Sequence, residues 1–78
     1  MTSEALLARI TTNPDVLVGK PTIRGLRISV EQILRALAAG VSAEDLLYDY
    51  PDLESADISA AIAYAAERVA EERLFRVA

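Results

Sequence analysis

The apolar residues in the middle of the chain recur with the spacing of a helix. They stand at i, i+3, i+4 and i+7, as Val30, Ile33, Leu34 and Leu37, which places them on one face of an α-helix. Ser29 precedes them and Gln32 follows three residues later, the pattern of a capping box. Gly40 stands where a glycine commonly ends a helix. The sequence therefore predicts a helix that begins after Ser29 and ends before Gly40.

Two further helices are predicted after this glycine. Ser42 is a favourable N-cap, and Leu46, Leu47 and Tyr50 give a short second helix its apolar side before Pro51 ends it. The apolar residues of the third helix follow i, i+4, i+7 and i+11, as Ile58, Ile62, Ala65 and Val69. Glu54 and Ser55 are its alternative N-caps, and nothing interrupts the pattern before about residue 73.

The N-terminal part has shorter patterns. Residues 1–9 could form a short helix, and residues 10–12 are β-prone up to the turn signal Asn13-Pro14. Residues 22–23 and 26–28 are predicted as two strand pieces around Arg24 and Gly25, because glycine accommodates a tight turn or a bulge. Whether this β element pairs within one chain or between two chains is left open.

These patterns predict a mainly α fold, with a small N-terminal β element followed by a tri-helical helix-turn-helix bundle. The 78 residues form a single domain. Its predicted parts are the β element at 10–29, the three-helix bundle at 30–73 and a tail at 74–78.

The bulk composition narrows the class of protein. The chain has no Cys and no His, which excludes disulfides and the common zinc sites. So short a chain is only marginally stable as a monomer, and its hydrophobic content of 53% predicts self-association, most simply a homodimer.

The N-terminus lacks the apolar core of a signal peptide, and no run approaches the roughly 20 apolar residues of a membrane span. A cytoplasmic protein is expected.

The net charge of −4 is unevenly distributed. Residues 1–40 carry five cations against three acids, and residues 41–78 carry three cations against nine acids. The halves therefore differ in charge, at +2 and −6. This split indicates a charged partner surface, self-association of oppositely charged faces, or ordinary solvated charge.

Catalysis is not expected, because nucleophilic catalysis needs a nucleophile beside a base and the chain has no His or Cys. Four acids lie close in sequence, Asp45, Asp49, Asp52 and Asp57. We interpret them as capping or solvated groups rather than metal ligands. Gly19-Lys20-Pro21 lacks the remaining residues of a phosphate-binding loop. No cofactor and no metal are predicted.

Nucleic-acid binding is a further hypothesis. Its candidate DNA-binding residues are Lys20, Arg24 and Arg27. Against it, the helix that would enter the major groove begins with Glu54 and Asp57, whose carboxylates repel phosphates. The alternative is that Arg24 and Arg27 pair with acids of the second half or with a dimer mate.

The C-terminal tail is amphipathic. Its candidate partner-binding residues are Arg73, Leu74, Phe75 and Arg76. They could dock into a groove of a partner, or they could cover the helical bundle of their own chain.

The chain resembles a known family at specific positions. Gly-Lys-Pro-x-Ile-x-Gly-x-Arg-Ile at 19–28 and Tyr-Pro-x-Leu at 50–53 are its most specific segments. With Asn-Pro-Asp at 13–15 and Leu-Ala-Ala-Gly-Val-Ser at 37–42, they are similar to the bacterial domain-of-unknown-function family numbered 433, over roughly residues 8–66. The chain departs from the family's usual pattern at Glu54, where Thr or Ser is frequent, and at Leu26, where Thr is found.

This resemblance implies a homeodomain-like helix-turn-helix protein of the VapB antitoxin type. The implied function is an antitoxin of a type II toxin-antitoxin pair, which binds a PIN-like RNase toxin and represses its own operon by binding operator DNA as a dimer. The alternatives are a stand-alone DNA-binding transcriptional regulator and an oligomerisation module that binds no nucleic acid.

Overall fold

The computed structural model describes residues 2–72. Over this range the chain is mainly helical, with four α-helices and one two-stranded antiparallel sheet. The elements in chain order are α1 (Ser3–Leu7), β1 (Ile10–Thr11), a 3₁₀ turn (Leu17–Gly19), β2 (Thr22–Ile23), α2 (Val30–Ala38), α3 (Ala43–Asp49) and α4 (Ser55–Glu72). The three helices predicted after residue 29 are confirmed, and α1 adds a fourth that packs on α4. None of the helices in this range is both long enough and apolar enough to cross a bilayer.

The sheet pairs within one chain. Ile10 lies opposite Ile23, and Thr11 lies opposite Thr22. The predicted strand piece at residues 26–28 is wrong, because only Ser29 bridges back to Thr22. The physical reason is the tight reversal between them, where φ is positive at Arg24 and Gly25 (45° and 74°). After this reversal, the Ile23 N–H donates to the Ile28 carbonyl (3.0 Å) and the Val30 N–H donates to the Pro21 carbonyl (3.0 Å). Helix α2 begins at Val30, so the pairing does not continue.

The ends of α2 have the predicted caps, with one difference. The Ser29 hydroxyl accepts the backbone N–H of Gln32 (2.9 Å), and the chain leaves the helix at Gly40 with φ of +93°. The Val41 N–H then reaches the Ala36 carbonyl (3.0 Å), the long-range bond of a Schellman motif. The Gln32 side chain does not complete a capping box. It donates instead to the Tyr50 hydroxyl (2.9 Å) and so ties α2 to the end of α3.

The starts of α3 and α4 are also set locally. The Ser42 hydroxyl accepts the Asp45 N–H (3.0 Å). Because α4 begins at Ser55, Glu54 takes the N-cap position. Leu53 and Ile58 stand on either side of this start at the two positions of a hydrophobic staple, and both are buried.

The hydrophobic core lies between β2 and the three later helices. Its buried residues are Ile23, Val30, Ile33, Leu46, Leu53, Ile58 and Ala61. The predicted apolar face of α4 is buried at Ile58 and half-buried at Ala65, whereas Ile62 is 51% exposed and Val69 is 62% exposed. The reason is length: α4 has 18 residues, whereas the helices that pack on it are shorter, with 5 residues in α1, 9 in α2 and 7 in α3.

The segment before β2 contains a strained and exposed residue. Leu17, Val18 and Gly19 have successive positive φ values of 48°, 57° and 79°. Left-handed backbone costs an L-residue about 1–2 kcal/mol, and a β-branched residue is a poor choice for it. Val18 gains nothing from packing in return, since 94% of it is exposed.

Replacing Val18 with asparagine is therefore expected to stabilise the protein by about 0.5–1 kcal/mol, because asparagine tolerates this conformation. For a domain of this size, the midpoint of thermal unfolding should rise by a few degrees. Val18→Thr is the control, because threonine is polar but keeps the β-branch and should give no gain. Equal gains in the two variants would attribute the effect to polarity rather than to backbone strain.

Candidate functional site

Asp57 lies at the centre of a buried ion-pair cluster at the start of α4. Its side chain is fully buried, although α4 begins only two residues earlier. Arg24 donates to both carboxylate oxygens, from Nε to Oδ1 (3.0 Å) and from Nη2 to Oδ2 (2.9 Å). Arg9 donates from Nη1 to Oδ1 (2.9 Å), and the Glu54 N–H donates to Oδ2 (2.8 Å). Four hydrogen bonds therefore compensate the buried charge, as such a charge requires.

Local structure brings the two arginines to this carboxylate. The positive φ of Arg24 turns its side chain out of the hairpin, and its N–H bonds the Arg9 carbonyl (2.7 Å). Arg24 also donates to the Asp52 carbonyl (2.8 Å), while Arg9 donates to the Glu54 carboxylate (2.7 Å). The cluster thus links the sheet and its turn to the loop before α4, with two positive and two negative side chains.

The pKa of Asp57 reflects these contacts. Burial alone raises it, because a buried carboxylate loses its hydration. The hydrogen bonds from Arg24, from the Glu54 N–H and from Arg9 act in the opposite direction and outweigh burial. The pKa therefore lies below the ordinary value, and Asp57 is ionised at neutral pH.

The three residues predicted to bind DNA are not equally available. Arg24 takes the alternative foreseen for it, an intrachain pair with an acid of the second half. Lys20 pairs with Glu31 (2.9 Å), which also pairs with Arg35 (2.9 Å). Hydrogen bonds from Lys20 and then from Arg35 lower the pKa of Glu31. Arg27 is exposed, and it alone among the six cations within residues 2–72 has no ion pair. DNA contact by these residues stays a prediction.

The surface around α3 has the opposite character. Its acidic surface consists of four exposed carboxylates, Glu44, Asp45, Asp49 and Asp52. Within residues 2–72 no cation lies within ion-pair distance of any of them. Asp49 is the last residue of α3, where the helix dipole disfavours a negative charge. Tyr48 lies among these acids and is 85% exposed.

An apolar groove lies between α2 and the part of α4 from Tyr64 to Val69. Its volume is about 540 Å³, and its apolar walls are Pro21, Val30, Leu34, Ala38, Tyr64, Ala65 and Val69. Lys20, Glu31, Arg35 and Arg68 also line it. Arg68 lies 5.9 Å from the centre of the Tyr64 ring and pairs with Glu71 (3.5 Å). The groove thus joins an apolar floor to a rim with a net positive charge.

Residues 2–72 hold no group of three or more His, Cys, Asp or Glu side chains placed to bind a metal ion. Asp45, Asp49 and Asp52 are exposed, and Asp57 is buried against its arginines. The structure thus has two candidate surfaces, one acidic and one apolar. The predicted tail residues Arg73, Leu74, Phe75 and Arg76 lie outside the described residues.

Sequence reasoning missed both central features of this region. It interpreted Asp57 as a capping or solvated group. The Asp57 carboxylate does accept the Glu54 N–H at the start of α4, but it is buried rather than solvated. A signal was present, because Leu53 and Ile58 flank this start with staple spacing and bring the first turn towards the core. The exposure of Ile62 and Val69 on the apolar face of α4 had no such signal, because the spacing of apolar residues is the same there as in the buried part of the helix.

The family assignment follows from direct comparison. Residues 10–65 match the family described as "Protein of unknown function (DUF433)". The chain belongs to the DUF433 family. The crystal structure of a DUF433 member protein from Anabaena variabilis is similar, with a TM-score of 0.76 and 32% identity, over 94% of this chain and 70% of that one.

A relative of the DUF433 segment is the uncharacterized protein y4eO of Sinorhizobium fredii. It is 39% identical over 56 residues, which are 72% of this chain and 25% of that protein. The matched segment therefore spans a quarter of this relative's length. Within the chain, the DUF433 match includes Arg24, Asp57 and the acids of α3, whereas α1 and the end of α4 lie outside it.

Proposed function

We propose that this DUF433 protein is an antitoxin-like binding protein, not an enzyme, and that it neutralises a PIN-like RNase. The observation that carries the proposal is the acidic surface of α3. Four exposed carboxylates lack a cation partner within residues 2–72, while five of the six cations in that range are paired. One of the four, Asp49, stands where it disfavours its own helix. Residues that break a local rule without a compensating contact are characteristic of functional surfaces.

The physics of the partner supports this choice. An RNase must attract a polyanion, so its substrate-binding surface is cationic. An acidic inhibitor surface would be steered to it and would compete with RNA for the same groups. The Tyr48 ring, exposed among the acids, supplies the aromatic contact that protein interfaces favour.

The DNA-binding alternative has less support. It assigns the three later helices to a helix-turn-helix, with α4 as the helix that enters the major groove. Phosphate contacts supply much of the affinity of such proteins, but Lys20 and Arg24 already bind carboxylates of their own chain. Arg27 remains exposed, and Asp52 lies beside the start of α4. We therefore keep repression of its own operon as a secondary role.

Charge reversal on α3 tests the proposal. The tagged protein would first be used to recover its nuclease from the native host, and inhibition of that purified nuclease would then be measured. We expect Asp45→Lys/Asp49→Lys to weaken inhibition by at least about 100-fold, because like charges would then meet across the interface. Circular dichroism would verify that the helices are retained.

A matched control reverses two exposed acids elsewhere. Glu4→Lys/Asp15→Lys makes the same change in net charge on the N-terminal part of the molecule, and it should leave inhibition nearly unchanged. An equal loss of inhibition in the two double variants would mean that the net charge of the protein, and not the α3 surface, causes the effect. Unchanged inhibition by Asp45→Lys/Asp49→Lys would exclude α3 as the binding surface, and operator binding by the chain alone would favour the DNA-binding alternative.

A further inference from the structure

The last turns of α4 extend past the helices that it packs against. At 1.5 Å per residue, its 18 residues span about 27 Å, whereas the 9 residues of α2 span about 14 Å. The described residues of α4 from 66 onwards are all exposed. A helix end that packs on nothing is only marginally stable in water. Some further surface is therefore needed to hold this half of α4.

The projecting half carries an apolar stripe that continues from the core. Ile58 is buried at one end, and Ile62, Ala65 and Val69 follow at intervals of four, three and four residues. This alternation is the spacing of a coiled-coil seam. We call Ile62, Ala65, Ala66 and Val69 the α4 seam. More than half of Ile62 and of Val69 is exposed, and Ala66 is exposed as well, so residues 2–72 leave most of the seam uncovered.

The seam opens directly into the apolar groove described above. Ala65 and Val69 belong to both, and Leu34 and Ala38 of α2 form the opposite wall. A side chain that packs on Val69 from outside would therefore also meet the wall of α2. The surface is a knob beside a hole, which is the arrangement that one helix presents to another.

We propose that a second copy of this chain covers the α4 seam, with the two α4 helices antiparallel across a two-fold axis near Ala65 and Ala66. This axis places Ile62 of each copy opposite Val69 of the other, so the surface is complementary to itself, as a two-fold interface must be. The two alanines at the axis let the helices approach closely. This inference does not depend on the proposed nuclease binding, which uses α3.

Charge complementarity supports the second copy as the occupant. The groove rim has three cations, Lys20, Arg35 and Arg68, against one acid, Glu31. The second half of α4 has three acids, Glu67, Glu71 and Glu72, against Arg68 alone. Lys20 and Arg35 share Glu31, so the groove rim keeps a net positive charge. In the proposed register Glu67, which has no ion pair within residues 2–72, lies opposite Tyr64 in the groove wall of the other copy. Charges of opposite sign across an interface favour this partner and fix its register.

The area required also points to a joint use of seam and groove. A stable interface covers about 800 Å² on each partner, which is roughly one seventh of the 5519 Å² accessible surface of the chain. A single helical stripe is narrower than this, so the wall formed by Leu34 and Ala38 must take part. Dimerisation would supply the burial that a chain of 78 residues without disulfides otherwise lacks.

Sedimentation equilibrium with the full chain tests the proposal. We expect a dimer at micromolar concentration, and we expect Ile62→Glu/Val69→Glu to raise its dissociation constant by at least about 100-fold. Both residues are exposed in the single chain, so its core should remain folded, as circular dichroism would show. Tyr48→Glu, at a still more exposed position on α3, is the control and should leave the dimer intact. A monomeric wild-type chain would overturn the proposal and leave the seam to a different protein, as would a dimer that survives Ile62→Glu/Val69→Glu.

A cross-linking pair tests the register. Ala66→Cys places the introduced thiols near the two-fold axis, whereas Ser59→Cys lies seven residues away on the same side of α4. In the antiparallel arrangement, only Ala66→Cys should form a disulfide-linked dimer under mild oxidation. Equal cross-linking of the two variants would indicate parallel helices and would overturn the proposed axis.

Discussion

Replacing Asp57 with alanine is expected to lower the free energy of unfolding by about 3–5 kcal/mol. The change removes a fully buried carboxylate. It leaves the Glu54 N–H without its acceptor and takes from Arg9 and Arg24 their bonds to the buried charge, although each keeps one other acceptor. The cost arises because these groups lose their partner without regaining full hydration. A domain of this size commonly has only several kcal/mol of stability in total, so this single change should remove much of it.

Urea unfolding at neutral pH, followed by circular dichroism, would measure the loss. Asp52→Ala is the matched control, because it removes an exposed carboxylate five residues earlier, and Arg24 bonds only the backbone carbonyl of that residue. It should change stability very little. If Asp57→Ala does not fold, Asp57→Asn offers the same test, since the amide keeps the shape but loses the charge. A loss below about 1 kcal/mol for Asp57→Ala would show that the cluster is as weak as a surface pair.

Stability is expected to fall steeply in acid, again because of Asp57. The pKa of this carboxyl is lower in the folded chain than the ordinary value of 3.8 that it regains on unfolding. The unfolded chain therefore binds more protons between these two values, and stability decreases as the pH falls through that window. The contribution is complete above about pH 5. Because the chain has no His and no Cys, no side chain with an ordinary pKa titrates between about pH 5 and pH 8.

Unfolding free energies measured from pH 7 to pH 2.5 would give this profile. In Asp57→Asn the side chain is an amide, which does not titrate, so the stability of this variant should depend less on pH across the acid window. Glu31 also has a lowered pKa, but its pairs are exposed, and added salt should screen them while the buried cluster is screened much less. Profiles of equal slope for the wild type and Asp57→Asn would mean that other carboxyls cause the acid sensitivity.

The two proposed binding surfaces are compatible with each other. The acidic surface belongs to α3 and to the loop that follows it, and the seam runs from Ile62 to Val69 of α4. A dimer formed through α4 would therefore present two copies of α3 to two nuclease molecules. Two such linked sites would also raise the avidity for a dimeric partner.

The spacing of apolar residues and the capping residues were enough to predict the helices and their ends. The spacing of Val30, Ile33 and Leu37 predicted α2, and Ser29, Ser42 and Gly40 marked boundaries that the structure confirms. These features depend on contacts within a few residues of one another, so the local pattern contains the information. The family was recognisable for the same reason, since its motifs are short and contiguous.

The tertiary structure alone decided which charges are available and which apolar residues are covered. Arg24 and Asp57 lie 33 residues apart and meet only because the hairpin turn folds against the start of α4. The stripe from Ile58 to Val69 reads as one continuous face, but the short α2 and α3 cover only its beginning. Both outcomes depend on which distant elements pack together and how far they reach, and residue spacing along a single helix does not encode either.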